Sequence, residues 1–228
     1  MSKGIFITGT GTDVGKTYVT GLIVKKLRAS GLNAGYYKPA LSGAEWIDGE
    51  LVPGDCQFVT HTAGLNIAPA KLTSYMYKTA VSPHLAAQLD RRPIEAETIL
   101  ADFSKFTRCH DYLTVEGCGG IICPLRLDDT VLIQTDVIKL LKLDLLIVAP
   151  SGLGAINSAV LTAHYAQSLG LTVKGFILNH YDRTNFLHQD NKKVITQLTK
   201  LPVVACVTSQ AADLAIDTAV LCGLYKEV

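Results

Sequence analysis

The residues best suited to chemistry in this chain are GTGTDVGKT, at positions 9–17. They follow a short apolar run, GIFIT, and precede a helical pattern that starts at Lys16. Glycines let a loop backbone curl so that its N–H groups converge on anionic oxygens, and the following helix adds its dipole. A Lys and a Thr at the end of such a loop reach the terminal phosphates and Mg²⁺. The stretch therefore predicts a phosphate site, with Lys16 on the phosphates and Thr17 as a metal ligand.

The spacing of this loop is one residue longer than the usual phosphate-loop pattern. That pattern is G-x-x-x-x-G-K-[ST], whereas here five residues separate Gly9 from Gly15. The loop nevertheless lies between a strand-like run and a helical pattern, which is the context that phosphate binding requires. The stretch indicates a nucleotide phosphate, and it leaves open what the phosphate is used for.

Charged residues elsewhere could complete a phosphoryl-transfer site, which needs carboxylates for a metal ion and additional cations. Glu116 ends the apolar run YLTVE and precedes GCGG, and Lys38 lies before Pro39 in GYYKPALSG. Both lie at predicted carboxyl ends of strands, where open α/β sheets bind ligands. Asp55, in VPGDC, lies at a predicted helix start, so it is either a metal ligand or a helix N-cap. Ser42, in the polar stretch after Lys38, extends the predicted site.

These residues need a scaffold, and the chain alternates short β-rich runs with helical stretches. The predicted strands are Gly4–Thr8, Ala34–Lys38, Tyr112–Glu116, Leu145–Ala149, Val173–Asn179 and Val203–Val207. The predicted helices are Lys16–Ser30, one that starts at Pro83, and Asn157–Leu169. Apolar strands that alternate with helices predict an α/β fold, with a mostly parallel central sheet flanked by helices on both faces. Together with the phosphate loop, this pattern is typical of the P-loop NTPase fold. The segment Ser42–Thr73 is the least regular, and Asn185–Thr199 shows no assignable pattern.

The composition restricts the class of protein. With 228 residues and 48% hydrophobic content, the chain is expected to form one domain, residues 1–228, with a large core. A net charge of +1 argues against nucleic acid as a partner. No apolar run is long enough for a membrane span and no cleavable leader pattern is recognised, so we expect no membrane association and a cytoplasmic location. None of the six cysteines forms a C-x-x-C pair, which favours reduced thiols.

Several of these stretches together resemble the dethiobiotin synthetase family. In chain order they are GTGTDVGKT, YYKPALSG, GD at positions 54–55, VEGCGG, APSGLGAINSAVLTA and GFILN. Their order and spacing match the family from the N-terminus to about Asn179. The combination of Lys38-Pro39 with Ser42-Gly43 is more specific than the phosphate loop, because P-loop ATPases in general do not share it.

The resemblance implies a ligase of biotin biosynthesis that uses ATP with Mg²⁺ and CO₂ to close a cyclic urea on 7,8-diaminononanoate. One substrate amine captures CO₂ as a carbamate, and a carbamate oxygen attacks the γ-phosphate of ATP to give a carbamic–phosphoric anhydride. The second amine then attacks the activated carbon and phosphate leaves. The implied products are dethiobiotin, ADP and phosphate, and the base preference of the nucleotide site is left open.

The resemblance also implies a role for each matched residue. Lys38, Lys16 and Thr12 would be catalytic. The implied Mg²⁺ ligands are Thr17, Asp55 and Glu116. The implied nucleotide contacts are Asp13, Val14, Gly15, Lys16, Thr17, Tyr18 and Asn179. The implied substrate contacts are Thr12, Lys38, Ser42, Gly119, Gly154, Ala155, Ile156 and Asn157.

The resemblance further implies a homodimer in which the partner chain completes each site. Gly152–Asn157 would be the partner segment that takes the carboxylate of the substrate. The N–H groups at a helix start bind a carboxylate without a formal cation, which suits this segment. All other expected partners are small molecules.

A switch ATPase of the MinD/ParA class has the same fold and is the alternative function. That class has a signature Lys near the start of its phosphate loop, where this chain has Gly11. The C-terminal stretch AVLCGLYKEV also lacks a basic amphipathic membrane helix. Both features favour the ligase.

Overall fold

A computed structural model describes residues 1–228. The strands are β1 (Lys3–Gly9), β2 (Ala34–Ser42), β3 (Glu45–Ile47), β4 (Glu50–Val52), β5 (Thr73–Tyr77), β6 (Tyr112–Gly120), β7 (Pro124–Leu127), β8 (Val131–Ile133), β9 (Leu145–Pro150), β10 (Val173–Asn179), β11 (Val203–Cys206) and β12 (Lys226–Glu227). The α-helices are α1 (Lys16–Ala29), α2 (Gly54–Ala63), α3 (Pro83–Leu89), α4 (Ala96–Cys109), α5 (Gln134–Leu140), α6 (Ala155–Ser168), α7 (Phe186–Thr199) and α8 (Thr218–Gly223).

The central sheet places the phosphate-loop strand in its middle. Its strand order is β11-β10-β9-β1-β6-β2-β5, and all of these neighbours pair in parallel. The short β12 pairs antiparallel with the start of β1. The predicted mostly parallel sheet is thereby confirmed, and the strands that carry the phosphate loop, Glu116 and Lys38 (β1, β6 and β2) are neighbours.

Helices cover both faces of the sheet because successive strand residues point to opposite sides. Ile7 and Tyr36 belong to the core cluster that includes residues of α1, α2 and α8. Their neighbours Phe6 and Tyr37 belong to the cluster on the other face, under α3 to α7. A sheet buried on both faces needs strands that are apolar throughout, which is the pattern the sequence shows.

Two site-bearing strands are longer than predicted, so that prediction was wrong about where they end. β2 continues past Lys38 because β5, which sequence reasoning missed, pairs with it on both sides of Pro39. Likewise β6 continues past Glu116 through the glycines to Gly120. β5 has only five residues at the edge of the sheet and adjoins an irregular segment, so no pattern marked it.

The segment expected to be least regular and the stretch without an assignable pattern both contain regular structure. The segment Ser42–Thr73 contains the hairpin β3–β4 and helix α2. Residues Asn185–Thr199 contain helix α7, and the N–H of Leu187 donates to the Asn185 side chain at 2.9 Å, which caps the helix. Helix α6 begins at Ala155, slightly before the predicted start. No helix combines the length and apolar character that crossing a membrane requires.

Candidate active site

A cavity of about 570 Å³ lies between the β1–α1 loop, the second halves of β2 and β6, and helix α2. Many of the predicted site residues line it, namely Thr12, Asp13, Gly15, Lys16, Thr17, Tyr18, Lys38, Ser42, Asp55, Glu116 and Gly119. The fold therefore gathers residues from four separate parts of the chain around one space.

The phosphate loop has the backbone geometry that close anion binding needs. Asp13 and Gly15 have positive φ angles of 58° and 90°, so the loop turns sharply before helix α1. No side chain caps the first turn of α1, which leaves its N–H groups free for phosphate oxygens. The Lys16 ammonium donates to the Gly11 carbonyl at 2.8 Å across the loop. Burial lowers the Lys16 pKa, and the nearby Lys38 charge lowers it further.

Glu116 accepts hydrogen bonds from three side chains of the site. Its carboxylate is fully buried, and its Oε1 accepts from the Thr17 hydroxyl at 2.7 Å and from the Lys38 ammonium at 2.8 Å. Its other oxygen, Oε2, accepts from the Tyr36 hydroxyl at 3.0 Å. A buried carboxylate is tolerated only when it is paired and hydrogen-bonded, as it is here.

Lys38 lies between two carboxylates. Its Nζ is 2.8 Å from both Asp55 Oδ2 and Glu116 Oε1, and it also donates to the Gly117 carbonyl at 3.3 Å. Burial alone would lower the Lys38 pKa, but the charges of Glu116 and Asp55 raise it well above its ordinary value. Lys38 is therefore a fixed cation whose charge faces the phosphate loop.

Asp55 contributes its carboxylate to the cavity instead of capping helix α2. The helix begins at Gly54 with Pro53 in the N-cap position, and no side chain caps it. Burial would raise the Asp55 pKa, but the charge of the Lys38 ammonium, 2.8 Å from Oδ2, lowers it overall. The N-cap interpretation of Asp55 is therefore wrong.

Thr17, Asp55 and Glu116 could hold Mg²⁺. All three are oxygen ligands, and they converge on the same corner of the cavity next to the phosphate loop. Mg²⁺ prefers oxygen ligands and is commonly bound through one or two carboxylates together with substrate phosphates and water. The chemistry of this donor set therefore fits the ion.

Some predicted residues lie outside the cavity wall. Asn179 is buried behind the phosphate loop, where its Nδ2 donates to the Val14 carbonyl at 3.1 Å. Val14 therefore contributes backbone to the loop and does not line the cavity. The segment Gly154–Asn157 forms the start of α6, and it does not line the cavity of its own chain.

Sequence reasoning missed residues that hold the site in place. The Gln134 side chain donates to Thr8 Oγ1 at 3.1 Å and to the Gly120 carbonyl at 3.0 Å, and it accepts from the Cys118 N–H at 2.6 Å. It thereby ties β1 to the glycine-rich end of β6. Asn191, on α7, donates to the carbonyls of Ser151 and Gly152, each at 2.8 Å.

Asn191 thereby fixes the turn before α6 and gives the unassigned stretch Asn185–Thr199 a structural role. Neither Gln134 nor Asn191 belongs to a recognisable motif. Only the fold, which brings distant segments together, reveals them.

The sequence relatives of this chain share one name. A family model described as "AAA domain" matches residues 3–212. The ATP-dependent dethiobiotin synthetase BioD of Clostridium botulinum strain Eklund 17B is 50% identical, with 90% of this chain and 91% of that protein covered. The protein of the same name from C. botulinum strain 657 is 46% identical over 100% of both chains. The one from Clostridium novyi strain NT is 48% identical over 91% of this chain and 87% of that protein.

Solved structures show the same fold at low sequence identity. A ParA family ATPase from Chlorobium tepidum superimposes with a TM-score of 0.56 at 13% identity, covering 97% of this chain and 88% of that one. MinD from Pyrococcus horikoshii, complexed with Mg-ADP, superimposes with a TM-score of 0.53 at 14% identity, covering 92% of this chain and 82% of that one. These likenesses establish the P-loop NTPase fold alone, whereas the sequence relatives establish the family. The chain belongs to the ATP-dependent dethiobiotin synthetase family.

Proposed function

We propose that this chain closes a cyclic urea on 7,8-diaminononanoate, using CO₂ and ATP and releasing dethiobiotin, ADP and phosphate. The observation that carries the proposal is the position of Lys38. A phosphate loop alone fits any P-loop ATPase, but here a second buried cation faces the same cavity between two carboxylates, with Ser42 on the same wall. Such a cation suits a reaction in which an anionic carbamate meets an anionic phosphate.

The reaction needs three balanced steps. An amine of the substrate adds to CO₂ and loses a proton, which gives a carbamate. A carbamate oxygen displaces ADP from the γ-phosphorus, which gives the mixed anhydride. The second amine adds to the carbamoyl carbon and loses a proton, the bond between that carbon and the phosphate oxygen breaks, and the cyclic urea and phosphate form.

The position of each residue in the cavity indicates its role in these steps. The N–H groups of the phosphate loop and the Lys16 ammonium hold the phosphates, since they lie at the start of α1. The Lys38 ammonium stabilises charge on the carbamate and the transferring phosphoryl group. The Ser42 hydroxyl donates to the Val81 carbonyl, which leaves its oxygen lone pairs available to an incoming amine. Thr12 also lines the cavity, near Gly119.

Thr17, Asp55 and Glu116 would hold Mg²⁺. When it is bound, the ion would neutralise negative charge on the phosphate oxygens. Lys38 pairs with the same two carboxylates, so its charge is coupled to the metal site.

Replacement of Glu116 by Gln should therefore raise the Mg²⁺ concentration needed for half-maximal turnover by about tenfold or more. The measurement is an Mg²⁺ titration of phosphate release. Glu95→Gln is the matched control, because Glu95 is half-exposed and pairs with Arg126 at 2.7 Å, outside the cavity. If the Mg²⁺ titration of Glu116→Gln is unshifted, Glu116 is not a ligand of the metal ion.

We also propose that the functional unit is a homodimer whose partner chain supplies Gly154–Asn157 to each site. This segment starts a 14-residue helix whose first turn has no acidic residue and no side-chain cap. Its N–H groups suit the substrate carboxylate. The adjoining Leu153 is 92% exposed, which suits a surface that a second chain covers.

A shared site predicts complementation between inactive chains. Lys38→Met removes the cation of one cavity, and Asn157→Asp places a negative charge where the substrate carboxylate would bind. In a heterodimer of the two variants, one site combines an intact cavity with an intact partner segment. Heterodimers purified through two different tags should recover about half of the wild-type activity per dimer. Heterodimers as inactive as either parent would show that each chain works alone.

The test of the function itself is phosphate release from Mg-ATP in bicarbonate buffer with and without the diamine. We expect release to depend on the diamine and a product with the mass of the cyclic urea. Release at the same rate without the diamine would favour the switch ATPase.

A further inference from the structure

We propose that Tyr36 is a positioning residue, which holds the Glu116 carboxylate so that Oε1 faces Thr17, Lys38 and the Mg²⁺ that this site would bind. The inference deepens the proposed function and rests on it. Tyr36 lies on β2 and is fully buried, and its ring belongs to the core on the α1 side of the sheet. Nothing of Tyr36 lines the cavity, so it acts on a ligand only through Glu116.

Strand geometry explains how Tyr36 reaches Glu116. β2 and β6 are parallel neighbours, with Tyr36 opposite Thr114. Residues two apart on a strand share a face, so Tyr36 and Lys38 both point toward the carboxylate of Glu116. The Tyr36 hydroxyl donates to Glu116 Oε2 at 3.0 Å, and the Lys38 ammonium donates to Oε1 at 2.8 Å. The two oxygens of one buried carboxylate are thereby assigned to different partners.

This division fixes the orientation of the carboxylate. Oε1 carries the two contacts on the cavity side, with Thr17 and Lys38. Oε2 has the Tyr36 hydroxyl as its only donor among the hydrogen bonds of the structure. Without that hydroxyl, Oε2 would be buried with no hydrogen-bond donor. Rotation of the carboxylate would then be favourable, because it could bring Oε2 to another donor. Partners that orient a ligating carboxylate in this way commonly change metal affinity 10- to 100-fold when they are removed.

The chain provides a matched control one residue away. Tyr37 is equally buried, but it points to the opposite face of the sheet. Its hydroxyl shares a 2.6 Å hydrogen bond with Ser74 and donates to the Ile99 carbonyl at 3.3 Å. Tyr37→Phe therefore removes a buried hydroxyl from the same strand without touching Glu116.

The experiment compares ADP binding by calorimetry in EDTA and across an Mg²⁺ series for wild type, Tyr36→Phe and Tyr37→Phe. Melting temperatures establish that each variant is folded. In Tyr36→Phe we expect the ADP affinity in EDTA to stay within about twofold of wild type. Mg²⁺ increases ADP affinity, and the Mg²⁺ concentration that gives half of this increase should rise about tenfold. Tyr37→Phe should match wild type in both. In a Glu116→Gln background, Tyr36→Phe should add no further shift, because the oriented carboxylate is gone.

Three results would overturn the inference. These are an unchanged Mg²⁺ dependence in folded Tyr36→Phe, an equal shift in Tyr37→Phe, and a full additional shift in the Glu116→Gln background. Dethiobiotin formation by the wild-type protein is measured in parallel. Its absence would refute the proposed function, whereas its presence with an unshifted Tyr36→Phe would refute the role of Tyr36 alone.

Discussion

Lys38→Met is expected to lower kcat by about 100- to 1,000-fold, because it removes a fixed cation from the point where carbamate and phosphate charges meet. It should also destabilise the protein. The pair of Lys38 with Glu116 is buried on both sides, with side chains 3% and 0% exposed. Removing one partner of such a pair costs about 3 kcal/mol or more, since the other charge is left buried alone.

The two effects of Lys38→Met can be separated with Mg²⁺. A divalent ion held by Asp55 and Glu116 would compensate their charges, so Mg²⁺ should raise the melting temperature of Lys38→Met more than that of wild type. Turnover should stay low under the same conditions. Lys26→Met is the control, because Lys26 pairs with the exposed Asp213 at 3.1 Å, on the surface. Wild-type turnover in Lys38→Met would refute its proposed role.

Gly15→Ala should weaken ADP binding by about 100-fold. Gly15 has a φ of 90°, and an added Cβ would lie 2.0 Å from Asn179 Nδ2. That amide is held by the Val14 carbonyl at 3.1 Å, so it cannot move aside without breaking the hydrogen bond that ties β10 to the loop. The strained φ costs about 1–3 kcal/mol in addition. The loop would have to move away from the position in which its N–H groups converge.

A second glycine separates backbone strain from the effect on the phosphate loop. Gly49, in the β3–β4 hairpin, has a φ of 83° and open space around its Cβ position. Gly49→Ala should therefore lower the melting temperature modestly and leave ADP binding unchanged. Calorimetric ADP titrations of both variants make the comparison. Equal ADP affinity in Gly15→Ala and Gly49→Ala would contradict the assigned function of the loop.

The sequence predicts that the charged residues of the candidate site lie close together, because each has a fixed place in a strand or loop pattern. Lys16 and Thr17 follow from a glycine-rich loop that lies between a strand and a helix. Lys38 and Glu116 follow from apolar strands, and these two meet at 2.8 Å. The predicted strand ends were wrong, yet the side chains still converge. Parallel neighbours bring equivalent positions together even when a strand continues beyond them.

The supporting residues could not be predicted from the sequence. Tyr36 looks like an ordinary core aromatic, and its contact with Glu116 depends on β2 lying beside β6. Gln134 and Asn191 act across large separations in the chain, and their amides carry no pattern. Contacts of this kind arise from the order of strands in the sheet, which local periodicity does not specify.

The fold alone does not identify the reaction, because a ParA family ATPase and a MinD protein superimpose on this chain at only 13% and 14% identity. Lys38, Ser42 and the carboxylates of Asp55 and Glu116 surround a space large enough for a small substrate beside the phosphates. This arrangement suits transfer of the γ-phosphoryl group to a small molecule.

The most direct test of this account follows oxygen from CO₂ to phosphate. A single turnover with ¹⁸O-labelled CO₂, Mg-ATP and the diamine is stopped before the label exchanges with water, and phosphate and product are analysed by mass. Attack of a carbamate oxygen on the γ-phosphorus predicts one labelled oxygen in the phosphate and one in the carbonyl of the cyclic urea. Phosphate that takes its new oxygen from water, released at the same rate without the diamine, would contradict the account.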